Sequence, residues 1–182
     1  MTGDHWTYEV RDEITGELTS TATNTITDVT PAEIAVRLQF LGKPGISYLI
    51  YDHSWNVKDN QIWKYSPNDG TGIKLPLKVG NNWSIQGSAL FNTRGVSYKR
   101  SGSSKVVGQE SITTGAGTFD TFKIETSSID RNTSDPTKKF ELAMTTWYAP
   151  SIDHWVKRVS KVSSNGHVDR HDSVELVEYG RR

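Results

Sequence analysis

The densest strict alternation in the chain runs from Gly115 to Val162, where Phe122, Ile124, Phe140, Leu142 and Met144 all fall on even positions. A period of two marks a strand with one buried face. The spacing predicts an antiparallel hairpin with Arg131 to Thr137 as its loop. That register sets Asp130 opposite Lys138, Ile124 opposite Met144 and Phe122 opposite Thr146, an apolar face with a matched charge pair at its edge.

The same period recurs on both sides. Trp6, Tyr8 and Val10 alternate with Thr7, Glu9 and Arg11, and Thr15-Gly16 supplies a turn before a Thr-rich run to Val29. Thr30-Pro31-Ala32-Glu33 has the spelling of a capping-box helix start. A helix, however, would scatter Val36 and Phe40 away from Ile34 and Leu38, so a strand entered through a Pro turn is expected. Short aromatic runs follow at Ser47–Tyr51 and Val57–Tyr65. The strongest break, residues 67–74, divides one β domain (1–182) into meander halves of about 1–66 and 75–182. Gly80-x-x-Trp83, at the start of the second half, echoes Gly3-x-x-Trp6.

Further strands are expected at Ser84–Phe91, Val96–Arg100, Lys105–Thr113, Thr118–Asp130, Lys138–Ala149, His154–Ser163 and His167–Tyr179. In the last hairpin a two-residue turn at Asn165-Gly166 would set Lys161 against Arg170. A three-residue loop, Ser164-Asn165-Gly166, pairs Val162 with Val168, Val156 with Val174, Arg158 with Asp172 and Lys161 with Asp169. Charge and packing agree in the second register, which is the one expected. The pattern as a whole predicts a mainly β protein with little or no helix, built as a strongly curved antiparallel meander sheet, a half-barrel or open barrel.

Composition narrows the function classes. Lys plus Arg and Asp plus Glu both number 21, so the net charge is zero and the basic surplus that phosphate binding needs is missing. Lys157, Arg158 and Lys161 read as a solvated strand edge, and nucleic acid is not expected as a partner. With no cysteine, disulfides, thiolate catalysis and Cys-ligated metals are excluded. Mean hydropathy is −0.57, and no apolar run approaches the ~20 residues of a membrane-spanning helix. Met1-Thr2-Gly3 leads straight into a strand, which fits either a cytosolic chain or a mature form from which an export segment has been removed.

Candidate chemistry is sparse. His167 and His171 share a strand face but lie ~13 Å apart at about 3.3 Å per residue, too far to share one ion. Asp52-His53-Ser54 has triad residue types in adjacent positions, where neighbouring side chains face opposite ways. The scattered carboxylates form no acid–base pair, and no Gly-rich loop opens a helix. No catalytic residue, metal or cofactor is assigned. The aromatics remain. Trp6, Tyr8, Trp63, Trp83 and Trp147 either line the concave face of the sheet as a site for a hydrophobic small molecule or lipid, or fill the core.

Gly117-Thr118-Phe119-Asp120-Thr121-Phe122-Lys123-Ile124, then Thr146-Trp147-Tyr148-Ala149-Pro150 and Val156-Lys157-Arg158, resemble the C-terminal signature of exported bacterial β proteins of unknown function. These are the TapB-like and related domain-of-unknown-function families. Leu75-Pro76-Leu77-x-Val79-Gly80-x-x-Trp83 is similar to their mid-domain motif. The resemblance implies a periplasmic or surface-anchored location and a curved sheet akin to the half-barrels of the LolA and LppX lipoprotein families, which hold helices in their concavity. It carries no catalytic residues. The expectation is therefore a non-enzymatic envelope binding domain for an apolar ligand or partner segment. The alternative is a structural module that meets an envelope protein partner and has no pocket.

Overall fold

The computed structural model describes Met1–Arg181. Twelve strands follow in chain order: β1 (His5–Asp12), β2 (Leu18–Val29), β3 (Ile34–Phe40), β4 (Ser47–Tyr51), β5 (Val57–Asp59) and β6 (Trp63–Asp69) form the first half. The second holds β7 (Asn82–Phe91), β8 (Val96–Thr114), β9 (Gly117–Asn132), β10 (Lys139–Ala149), β11 (His154–Ser164) and β12 (His167–Gly180). Each pairs antiparallel with its chain neighbour, and β1 pairs with β12 from His5↔Gly180 to Asp12↔Asp172. The sheet is thus a closed barrel, not the half-barrel or open barrel expected from the pattern. Closure gives the outer strands partners for backbone groups that a half-barrel would leave exposed. No helix occurs among the described residues, so none is long and apolar enough to cross a membrane.

The Pro turn before β3 forms as expected. Thr30 Oγ1 accepts from the Glu33 amide in the manner of a cap, but the chain continues as a strand. The echo of Gly3 and Gly80 is structural. Both glycines have left-handed φ, 94° and 92°, which only glycine adopts freely. Gly3 N–H donates to Ile26 and Ile26 N–H to Asp4, while Gly80 N–H donates to Val106 and Val106 N–H to Asn81. One hydrogen-bonded device thus starts both halves.

Register departs from expectation in two hairpins. In β9–β10, Asp130 lies opposite Phe140, Ile124 opposite Thr146 and Phe122 opposite Tyr148, a slip of two residues that keeps every face. Asn132 Oδ1 accepts from the Ser134 and Asp135 amides and tightens the turn, and Asp130 pairs with Arg100 of β8 instead of Lys138. In β11–β12 the turn has two residues, Asn165 and Gly166, both at positive φ. A bulge at Val162/Ser163 then sets Val162 opposite Arg170, Lys161 opposite His171 and Arg158 opposite Val174. The expected Arg158–Asp172 pairing is lost, and Asp172 faces Ser160. The two strands expected at Val96–Arg100 and Lys105–Thr113 are one, because Ser101–Ser104 pair continuously with Trp83–Gln86 on one side and Thr126–Ile129 on the other.

The core is concentrated towards one end. Trp6, Tyr8, Ile26, Val36, Trp55, Val106, Ile124, Tyr148, Trp155, Val156 and Leu176 pack together there, with Ile73 and Ile152 entering from loops. Loops, not helices, close this end. On the outer face, mid-strand positions hold charges such as Lys123, Glu125, Lys157 and Glu175, where a membrane-spanning barrel carries an apolar band.

At Gly102 a Cβ would fall 2.1 Å from the Ser127 carbonyl oxygen, whereas at Gly108 nothing lies within 4 Å. Gly102→Ala is expected to cost about 1–3 kcal/mol in urea unfolding. Gly108→Ala should change stability by less than about 1 kcal/mol, and equal effects from the two would refute the close approach.

Candidate binding site in the barrel lumen

Alternation carries each inward row from the packed end to the opposite mouth. From Val36 it runs to Leu38 and Phe40, from Tyr8 to Val10, from Thr146 to Met144 and Leu142, and from Val156 to Arg158, Ser160 and Val162. The first member of each row is buried, and the later ones are only half-buried although they point inward. The lumen is a cup, filled at its floor and open above. The accessible surface, 10004 Å², is consistent with this, against about 8,800 Å² for a folded protein of this mass.

A cavity of about 450 Å³ occupies the open half, lined by Trp63, Tyr65, Phe140, Leu142 and Val162 with the Arg100–Asp130 pair. Trp63 stacks on Phe91 with centroids 4.8 Å apart and meets Tyr98 edge-on, and Tyr98 in turn packs on Phe140. This aromatic chain forms one side of the mouth. Arg100 donates to both Asp130 carboxylate oxygens at 2.6 Å and lies over the Tyr65 ring at 4.9 Å. Burial alone would lower the Arg100 pKa, but Asp130 outweighs it and the net shift is upward. Arg170 and Asp172 form a second pair at the rim, 3.0 Å apart.

The floor is a polar knot in an aromatic nest. Trp6 stacks on His154 at 4.3 Å, and Trp55 meets the same imidazole edge-on. The Tyr8 hydroxyl donates to the Trp155 carbonyl at 2.9 Å and lies 2.7 Å from His154 Nδ1. With its one proton committed to that carbonyl, Tyr8 accepts from the imidazole N–H. Burial, then the charge of Arg158, hold the His154 pKa well below its ordinary value. Arg158 lies 3.5 Å over the Trp155 ring, opposite Thr146.

Of the five aromatics expected to line a site, Trp63 borders the cavity. Trp6 (3% exposed), Tyr8 (3%) and Trp83 (9%) lie in the floor and core, where Trp83 Nε1 donates to the Gly70 carbonyl. Trp147 stands on the outer face between Lys123 and Lys157 and donates to Glu110 at 2.6 Å. The structure does not bring the five together. Arg100 and Arg158 are lumen residues that sequence reasoning missed. Arg158 shares its parity with Val156 and Val162, whereas Lys157 and Lys161 point out, so parity was the usable signal. Asp52 and His53 serve their loop: Asp52 accepts from Ser54 and Asn56, and His53 Nε2 contacts the Thr30 carbonyl. A depression of about 550 Å³ on the outer face is walled by Lys105, Glu125, Lys161 and His171 and is a groove of the twisted sheet rather than an enclosed site.

Fold and lumen define an up-and-down antiparallel β-barrel, half filled, with a cup at one end. Residues 70–158, a little under half of the chain, match the DUF3108-like family. That span holds every motif on which the resemblance to exported bacterial domains of unknown function rests, and the resemblance stands. The barrel is similar to a candidate exported protein with a YmcC-like fold from Bacteroides fragilis (15% identity, TM-score 0.61, covering 100% of this chain and 97% of that one). It is similar also to a candidate lipoprotein from Parabacteroides distasonis (15%, 0.58, 99% and 96%). A third likeness is to the hypothetical lipoprotein YmcC from Escherichia coli (9%, 0.56, 98% and 86%). At these identities the likeness is one of fold. No curated protein sequence matches the chain.

Two predictions follow from the polar groups. Asp130→Asn should cost about 2 kcal/mol in urea unfolding, while the double change Arg100→Met/Asp130→Leu should cost less than Asp130→Asn alone. Because the His154 pKa is depressed in the fold, the unfolded chain binds the extra proton. The stability due to neutral His154 is complete above the unfolded value near 6.5 and is lost as pH falls below it. His154→Gln should flatten this dependence between pH 7 and 5 in urea titrations; an unchanged slope would refute the assignment.

Proposed function

We propose that this protein is a non-enzymatic binding domain of the bacterial cell envelope, whose barrel cup holds the apolar part of a lipid-like ligand. The observation that carries the reading is the half-filled lumen. Inward apolar side chains (Leu38, Phe40, Leu142, Met144, Val162) remain half-buried, and Leu142 and Val162 border a cavity of about 450 Å³. Apolar surface left inside a concavity gains about 25 cal/mol per Å² when an apolar partner covers it. Trp63 is the member of the expected aromatic set with a direct place in this site; Trp6, Tyr8 and Trp83 act from the floor by keeping it rigid. The envelope location rests on the exported and lipoprotein character named for the structural neighbours.

A structural module that binds a protein partner is the second reading. What favours it is the burial of Trp6, Tyr8 and Trp83, which fill the floor of the lumen as a packed core would.

Titration with a solvatochromic hydrophobic dye, followed by native mass spectrometry after exposure to extracted bacterial lipids, separates the two. The binding reading expects a saturable one-to-one dye response and retained lipid. Leu142→Trp, which fills the cup, should reduce dye affinity at least fivefold with little change in thermal unfolding. A flat response from the unaltered protein would overturn it in favour of the structural module.

A further inference from the structure

Arg158 lies deep in the barrel, on the boundary between the packed floor and the open cup. Its inward row runs from Val156, fully buried, through Arg158 to Ser160 and Val162, and the last borders the cavity. The guanidinium lies face-on to Trp155, 3.5 Å from the ring centroid, which answers the charge over one face. A guanidinium bonds through its edge, however, where five N–H groups point outward in its plane.

Among the described residues Arg158 makes no hydrogen bond and no ion pair, and its Nε is shielded from solvent without a partner. Directly across from it on β10, Thr146 Oγ1 is buried and likewise unpartnered. The nearest inward carboxylate along β12, Asp172, is opposite Ser160 rather than Arg158 and pairs with Arg170. Tyr8, whose hydroxyl bonds to Trp155 and His154, and Tyr51 supply only neutral neighbours. A half-buried cation whose Nε is cut off from water and from any anion is costly, and a hydroxyl across from it with nothing to bond compounds the cost. Both deficits end if one anionic group accepts from Arg158 and from Thr146.

On the reading that the cup holds a lipid-like ligand, we infer that Arg158 and Thr146 receive its head group, and that this group is the carboxylate of a fatty acid. One guanidinium with no second cation beside it balances one negative charge, which a carboxylate carries and a phosphate monoester exceeds. The planar carboxylate matches the planar fork of the guanidinium edge. From Arg158 to Val162 the strand climbs about 13 Å, the length of a medium-chain acyl group, and brings the chain among Leu142, Phe140 and Trp63. Burial, partly offset by Tyr51 and Tyr8, lowers the Arg158 pKa to about 10, so the side chain is charged at neutral pH.

The test compares a polyene fatty acid, fluorescent when bound, with its methyl ester on the same full-length protein. The acid is expected to bind at least tenfold more tightly than the ester, and to raise the melting temperature where the ester does so less. Arg158→Met should lower the affinity for the acid to that for the ester and so abolish the preference. Thr146→Val, nearly isosteric, should reduce the preference severalfold and serves as the independent variant if Arg158→Met fails to fold. Equal binding of acid and ester by the unaltered protein would overturn the head-group assignment while leaving the cup reading intact. Failure of both probes to bind would overturn the cup reading itself.

Discussion

A barrel of twelve strands is wider than its own side chains can fill. Eight strands leave a lumen that side chains just occupy, and sixteen leave a channel. With twelve, the chain must flatten the barrel, plug it or leave a space, and every notable feature of this molecule answers that problem. At one end the answer is aromatic bulk. Trp6, Trp55, Tyr148 and Trp155, joined by Ile73 and Ile152 from loops, span the width that aliphatic residues would not reach. At the other end the inward residues stop short of one another, and a cavity remains.

Bulk alone does not close a wide lumen, because the widest side chains bring polar atoms with them. Tyr8, His154 and the Trp155 carbonyl satisfy one another in a short relay. Arg100, Asp130 and Tyr65 do so higher up, and Ser104 with Thr126 between them. The wall therefore reads as alternating apolar patches and closed polar sets. Arg158 and Thr146 form an open set, as the Trp55 indole N–H does in the floor: the turn and the bulge at Val162/Ser163 together set Val174 opposite Arg158 and Asp172 opposite Ser160. Bulges that re-aim a side chain in this way recur beside binding sites.

The strands and their faces were legible because a period of two survives any slip by two residues. That is why Phe122, Ile124, Leu142 and Met144 were assigned to one face although their partners were not. Partners depend on contacts from a third strand, and Arg100 reaches Asp130 from outside the hairpin in which Asp130 was read. Closure was illegible for a similar reason, since β1 and β12 are the two ends of the chain and neither carries a mark of the other. Ser101–Ser104 falls between two expected strands, yet this row of small residues is what lets β8 lie close against β9 at Gly102. Around the cup, the aromatics are conspicuous in the sequence and the arginines are not. Three of the five chosen aromatics fill the floor, whereas the parity that put Arg158 among the inward valines was set aside for its charged neighbours.

A protein whose acidic and basic residues cancel has little electrostatic repulsion to keep its copies apart in solution near neutral pH. For a sheet protein this is the dangerous condition, because an unpaired strand edge offers a ready template for another chain. Here the pairing of β1 with β12 removes the outermost edges of the sheet altogether. Protection against edge-to-edge pairing is thereby moved from charge to topology: no strand is outermost, and the free backbone rows are confined to the projecting ends of β8 and β9, which run past β7 and β10.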